Sequence, residues 1–266
     1  MKIGVTGVAG RMGRMLVQTI LETDGVSLAG GTERPGHPLV GSDLATLVGI
    51  PASGQMIVDD AEAVFIEADA VIDFTVPETT ANHARLAILH ETALVVGTTG
   101  LTAEETAALK AAAEAVPVVQ AANMSVGVNL LLGLTRQVAA ILGEEYDVEI
   151  VEMHHRHKVD APSGTALALG HAAAAGRGTS LDSASEGVLA GRSGSRRHGS
   201  IGFAALRGGD VVGEHSVIFA GEGERIELTH RATSRAVFAK GAVRAAQWTL
   251  ARPPGLYGMR AVLGLD

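Results

Sequence analysis

The stretch EMHHRHKVDAPSGTALALG, residues 152–170, sets His154, His155, His157 and Lys158 within five positions, just ahead of Ser163, Gly164 and Thr165 and a helix-like run. Three chemistries use such residues. Imidazoles ligate zinc, a cationic loop can simply be solvated, and a helix start flanked by cations can hold an anion beside proton donors. Catalytic zinc takes three protein ligands that converge on one point. Adjacent His154 and His155 leave a strand on opposite sides, and neither an H-E-x-x-H spacing nor any cysteine completes a set, so no metal site is expected. The anion pocket uses more of the residues. Pro162 fixes the backbone near the helix start, and residues 163–165 offer N–H and hydroxyl donors at a terminus suited to a carboxylate. Lys158 adds a compact positive charge and a proton, and a histidine that titrates near neutrality can serve as general acid.

A second constellation lies at the start of the chain. Gly7, Gly10 and Gly13 stand in TGVAGRMGR, after a strand-like KIGVTG and at the opening of a helix-like run over 11–23. Glycines there permit a tight turn and let backbone N–H groups approach a pyrophosphate at the positive end of a helix. The spacing G-x-x-G-x-x-G differs from the usual G-x-G-x-x-G, and a plain strand-to-helix turn is the competing reading. Glu33 follows about 20 residues after the last glycine, where a carboxylate can accept from ribose hydroxyls. Its neighbour Arg34 suits a 2′-phosphate instead, so the pair points to use of both NADH and NADPH. GTTG at 97–100 ends another apolar run, where parallel sheets place their ligands.

The elements that must position these groups follow from periodicity. In the first half, AVIDFT (70–75), ALVVGTTG (93–100) and PVVQAAN (117–123) alternate with helix-like segments, which predicts βαβ units and a parallel sheet. One of those helices, over 102–115, carries Thr102 and Glu105 in a capping-box pattern. The second half differs: a helix-like run at 125–142, an alternating YDVEIVEMHH, a glycine- and serine-rich loop over 191–200, and three strand-like runs over 201–232 that read as an antiparallel meander. The tail from 238 to 250 is helix-like.

The 266 residues favour two domains, and 47% hydrophobic residues suffice for a real core. The formal charge of −8 argues against a nucleic-acid binder, and a local cationic cluster in an acidic chain points instead to a small anionic ligand. No cysteine is present, no uninterrupted apolar run approaches the roughly 18 residues that span a bilayer, and the N-terminus lacks a signal-peptide pattern. A cytoplasmic protein without membrane contact is expected.

Taken together, GVTGVAGRMG, VIDFT, GTTG, AANMSVGVN, EMHHRHKVDAPSGTA, GFAALRGGDVVGEHSV and GERIELTHRATSR resemble the 4-hydroxy-tetrahydrodipicolinate reductase (dihydrodipicolinate reductase) family of the diaminopimelate route to lysine, in order and over essentially the whole chain. The resemblance implies an α/β fold, with a Rossmann-like dinucleotide-binding domain over 1–125 and 236–266. The remaining 126–235 would form an α+β substrate-binding and oligomerisation domain on a mixed sheet, usually within a homotetramer. It further implies that Gly7, Val8, Ala9, Gly10, Arg11 and Met12 hold the pyrophosphate of NADH or NADPH, with Glu33 and Arg34 at the adenosine ribose. Gly97, Thr98, Thr99, Ala121, Ala122, Asn123 and Met124 would line the nicotinamide side. His154 would donate or accept the proton, Lys158 would donate it, and His155, Ser163, Gly164 and Thr165 would bind the carboxylates of a heterocyclic substrate. Two positions depart from many relatives: Met124 replaces a phenylalanine, and Val76 stands where some carry an arginine, which weakens the case for a 2′-phosphate. Another Rossmann oxidoreductase and a catalytically inert nucleotide sensor are the rival readings; substrate profiling separates the first, nucleotide affinity without NADH oxidation the second.

Overall fold

The computed structural model describes residues 1–187 and 194–265; positions 191–193 of the expected loop lie outside the described residues, and 194–200 hold neither helix nor strand. Internal contacts divide the chain into two compact units, Met1–Val126 with Arg235–Asp266, and Gly127–Ser234.

The first unit opens with β1 (Lys2–Thr6), α1 (Arg11–Leu21), β2 (Ser27–Thr32), β3 (Ile57–Val58), α2 (Ala61–Glu67), β4 (Ala70–Asp73), α3 (Pro77–Leu89), β5 (Ala93–Val96), α4 (Ala103–Ala113) and β6 (Pro117–Gln120). β4 and β5 are buried at every position, which is why AVID and ALVV are continuous apolar runs: helices cover both faces of a parallel sheet. α3 starts on Pro77, whose missing N–H costs nothing in a first turn. The Thr102–Glu105 capping box ahead of α4 forms as the sequence predicts. After the second unit the chain returns to complete the first.

The second unit contains α5 (Val126–Leu142), β7 (Asp147–His154), α6 (Gly164–Gly176), α7 (Leu181–Ala184), β8 (Ser185–Gly187), β9 (Ile201–Arg207), β10 (Gly213–Ala220) and β11 (Arg225–Ala232). Its sheet runs β11-β10-β7-β9-β8. The expected antiparallel meander is only half correct. β10 pairs antiparallel with β11, but β9 lies on the far side of β7 and pairs with it in parallel, so the sheet is mixed. Local turn signals predict hairpins between chain neighbours and carry no information about an intervening strand. Strict alternation of burial along β7 turns Val148, Ile150, Glu152 and His154 inward. Val148 and Ile150 share a core there with Leu131 and Ala139 of α5 and Leu169 and Ala173 of α6. The span Val126–Glu145 is long and apolar enough by length and composition to cross a membrane, with a mean hydropathy of 1.5; here Leu131 and Ala139 belong to the core of the unit.

α8 (Ala236–Thr249), β12 (Gly255–Tyr257) and α9 (Met259–Leu263) finish the first unit. Its seven-stranded sheet has the order β12-β6-β5-β4-β1-β2-β3, every pairing parallel. This is a Rossmann-like doubly wound sheet, and its order reverses at β1, so the crevice for a ligand opens beyond the carboxyl end of that strand. On one face, Leu16, Val17 and Ile20 of α1 share a core with Ala242, Val243 and Ala246 of α8. α8 approaches closely because Gly241 lacks a side chain: a Cβ there would lie 1.8 Å from the Met124 carbonyl oxygen.

Candidate functional site

In the first unit the glycine turn sits beyond β1, where Gly7 adopts φ +69°. Val8 is buried, and its N–H donates to the Thr32 carbonyl at 3.0 Å. The Ala9 N–H donates to Glu33 Oε2 at 3.1 Å, and the Gly10 N–H to the Gly7 carbonyl at 3.1 Å. The first turn of α1, from Arg11 to Gly13, is thus left to offer the N–H groups that an anion would take. Gly10 is the N-cap and makes no side-chain cap. Glu33 has a double task, bracing the turn while facing a cleft of about 780 Å³ that Gly7, Gly10, Arg34, Thr75 and Val76 also line. The turn, the helix start and the cleft fit a dinucleotide.

Within this turn Gly13 is the tightest point. A Cβ there would meet the Gly7 carbonyl oxygen at 2.2 Å and Val8 Cα at 2.6 Å, both backbone atoms that cannot rotate aside. Gly13→Ala is therefore expected to displace the turn and raise the dissociation constant for reduced nucleotide about tenfold, the ~1.4 kcal/mol end of an overpacking penalty. Fluorescence titration with NADH checks it, and unchanged affinity would remove the turn from the binding site.

Beneath the cleft lies a buried polar network that sequence reasoning left unassigned. Asp73, at the end of β4, is fully buried, with His83 Nδ1 2.8 Å from Oδ2 and Thr75 Oγ1 donating to Oδ1 at 2.5 Å. Burial alone would raise this carboxyl; the His83 hydrogen bond and charge and the Thr75 donors outweigh it and hold Asp73 below the usual range. Thr98 joins the network, donating to Asp73 Oδ1 and accepting from the Thr75 N–H at 3.0 Å. Of the two threonines of GTTG, Thr98 thus pins the strand ends together, while Thr99 is exposed. Gly97 is needed for a different reason: a Cβ would lie 2.3 Å from the Phe74 ring. Ala122, Asn123 and Met124 meet Arg11, Met12 and Phe74 around a smaller hollow of about 280 Å³. Met124 is 1% exposed and also belongs to the core.

The second unit holds the histidine cluster. β7 ends at His154, which is buried, and His155 follows beyond the strand, half-buried. A turn then brings the Lys158 N–H to the His155 carbonyl at 3.1 Å, and the Lys158 ammonium lies 2.8 Å from Asp160 Oδ1. That ammonium holds the Asp160 carboxyl below its usual range. Ser163 caps α6: its Oγ accepts from the Ala166 N–H at 3.2 Å, and Gly164 and Thr165 form the first turn. His154 Nδ1 is 2.5 Å from Glu152 Oε2, and Arg207 grips Glu152 through two nitrogens at 2.8 Å each. Burial alone would raise the Glu152 carboxyl, but hydrogen bonds from Arg207 and His154 hold it below the usual range.

His215, opposite Glu152 on β10, completes the cluster. Its ring stands edge-on to His154 at 5.1 Å, and its Nε2 is 3.2 Å from Ser163 Oγ. Its Nδ1 is buried without a partner among the described residues. An orphaned buried N–H is rarer than an unused lone pair, so the proton sits on Nε2 and is donated to Ser163. Ser163 Oγ then accepts twice and keeps its own hydrogen to donate outward. Among the described residues no group of three or more metal-ligating side chains occurs. Glu152, Arg207 and His215 were missed by sequence reasoning, although the i, i+2 spacing of Glu152 and His154 on an alternating strand already places them on one face.

Residues 1–124 match the family model described as dihydrodipicolinate reductase, N-terminus, and residues 127–263 the one described as dihydrodipicolinate reductase, C-terminus. A 4-hydroxy-tetrahydrodipicolinate reductase from Magnetococcus marinus is 54% identical over 99% of this chain and 98% of its own. One from Ruegeria pomeroyi is 53% identical over 99% and 98%. Among solved structures, a dipicolinate-bound dihydrodipicolinate reductase from Paenisporosarcina sp. TG-14 superposes with a TM-score of 0.77 at 25% identity, covering 97% of each chain.

Proposed function

The chain belongs to the dihydrodipicolinate reductase family, and on that premise we propose that it is an NAD(P)H-dependent oxidoreductase that reduces 4-hydroxy-tetrahydrodipicolinate to tetrahydrodipicolinate in lysine biosynthesis via diaminopimelate. The observation that carries this reading is the second unit's donor set: a helix start at 163–165, with His154 at the end of β7 and His155 and Lys158 on the segment that joins it to the helix. A dipicolinate-bound family member of similar structure supports a dicarboxylate heterocycle as ligand. The test is the loss of reduced-nicotinamide absorbance with freshly made hydroxy-tetrahydrodipicolinate, each nucleotide supplied in turn. No oxidation with either would refute the proposal.

In this reading the first unit binds the nucleotide through residues 7–12, 33–34, 97–99 and 121–124, and when bound the nucleotide supplies the hydride that ring C4 accepts. The substrate first loses water to give a conjugated imine. Residues 163–165 and His155 orient its carboxylates, and Lys158 or His154 protonates the carbon next to C4 as negative charge develops there. Orientation of this kind is worth several kcal/mol of barrier, and the cations stabilise the charge as it forms.

The nucleotide cleft favours NADH. Carboxylates at positions 33, 59, 60, 62 and 78 line it against the guanidiniums of Arg34 and Arg85, and Val76 adds no charge. A 2′-phosphate, itself close to doubly charged, meets an acidic wall. Val76→Arg is expected to raise kcat/KM for NADPH about tenfold with little change for NADH, the ~1.4 kcal/mol that one charge-assisted contact can supply; equal effects on both nucleotides would sink this assignment. A homotetramer built on the second unit is supported by Val151, Met153, Leu206 and Ile218, which leave the sheet face opposite the core only partly covered. Since the reaction consumes reduced nucleotide, the cytoplasm is where we place it.

A further inference from the structure

We infer that Glu152 is a positioning residue for the reduction, a single carboxylate that fixes His154 with its proton on Nδ1 and ties that ring to the start of α6, with Arg207 as its counterion. The inference rests on the proposed role of His154 as a proton-transferring group.

Glu152 is 1% exposed, yet it receives four donors from three separate pieces of the second unit. Arg207 of β9 gives two, from Nη1 to Oε2 and Nη2 to Oε1, both at 2.8 Å. The Ser163 N–H gives one to Oε1 at 3.1 Å, and His154 Nδ1 lies 2.5 Å from Oε2. An ionised carboxylate has about four acceptor sites and no donor, so all are used. A carboxyl held below its usual range by these donors is ionised at neutral pH.

Two consequences follow from this saturation. A bare Nδ1 beside an acceptor-only oxygen would set two lone pairs face to face, so Nδ1 carries a hydrogen and Nε2 is the nitrogen that exchanges protons. Rotating the ring would leave one buried lone pair of the carboxylate without its donor, which is costly. On its other oxygen the same carboxylate holds the Ser163 N–H, which belongs to the N-cap and not to the first turn. It therefore anchors the helix start without using the donors at 164 and 165. Arg207 reaches one step further, since Nη2 also donates to the Asp160 carbonyl at 2.7 Å, and Asp160 in turn pairs with Lys158. The two candidate proton groups and the carboxylate-binding turn thus hang from one ion pair whose carboxylate is buried. A merely structural ion pair has no need to touch all three.

Histidine-labelled protein, with the His154 signal assigned by comparison with His154→Gln, gives the first test through its ring ¹⁵N shifts. Wild-type protein is expected to have Nδ1 protonated; a bare Nδ1 at neutral pH overturns the inference whether or not any variant folds. In Glu152→Gln, whose amide can satisfy either tautomer, Nδ1 is expected to lose its fixed proton. For that variant kcat falls at least tenfold, with KM for the nucleotide within twofold of wild type. A folded Glu152→Gln protein with wild-type kcat also overturns it. If wild-type protein oxidises neither nucleotide with hydroxy-tetrahydrodipicolinate, the proposed function fails instead, and the Nδ1 result is unaffected.

Discussion

Alanine in place of Lys158 is expected to lower kcat by on the order of 10²-fold or more, the usual loss when a positioned general acid is removed. The ammonium is tethered on the turn that follows His155. Its side chain is 20% exposed, it pairs with Asp160 at 2.8 Å, and its backbone N–H is fixed to His155. Removal takes away both a proton and a charge, and a second variant separates them. Lys158→Arg keeps the charge but holds its proton far too tightly to release it. It should bind substrate with a KM within a fewfold of wild type and still fail to restore kcat. Steady-state kinetics with saturating NADH checks both. Near-normal turnover in Lys158→Ala would take Lys158 out of the chemistry and leave His154 alone, whereas recovery of kcat in Lys158→Arg would make the residue a substrate anchor only.

The second large effect is on stability. Burial first, and then the charge of nearby His154, push the His215 pKa from 6.5 down to about 4. The folded protein therefore holds fewer protons at this site than the unfolded chain between those values. By linkage, the stability contributed by neutral His215 is fully present above pH ~6.5 and is lost as pH falls toward ~4. Each pH step of one across that window costs about 1.4 kcal/mol, so the loss is about 2 kcal/mol at pH 5 and about 3 kcal/mol by pH 4. Glu152 and Asp73, both held below their usual values, lose their stabilisation only at still lower pH, so the window from 6.5 to 5 belongs to histidine. His230, lowered by burial, acts in the same direction. Urea unfolding at pH 7.5 and pH 5 measures the difference, and His215→Gln should remove most of it. A variant that keeps the full acid sensitivity would rule out His215 as its source.

Much of the molecule is legible in the residues themselves. AVID and ALVV are continuous because both faces of a parallel sheet are covered, and the glycines after β1 stand where a turn and a helix start must approach a ligand. Thr102 and Glu105 announce their helix because capping is settled within four residues. The order of motifs from GVTGVAGRMG to GERIELTHRATSR identifies the family before any coordinate is known.

Less legible is what depends on pairing across distance. Nothing local says that β9 lies beside β7 in parallel, and that pairing sets Arg207 against His154 in register. β10, entering from the other side, sets His215 opposite Glu152. VIDFT is plain in the sequence, but the role of Asp73 emerges only when α3 delivers His83 and the GTTG turn delivers Thr98.

The residues alone, then, specified most of the elements and the glycine turn, since each depends on neighbours within a few positions, and the family motifs singled out His154 and Lys158 as candidate proton donors. Which carboxylate holds which histidine, and which threonine faces inward, was decided only by the tertiary structure. Burying a charge is tolerable only where donors from separate strands converge on it, and that convergence is a property of the fold.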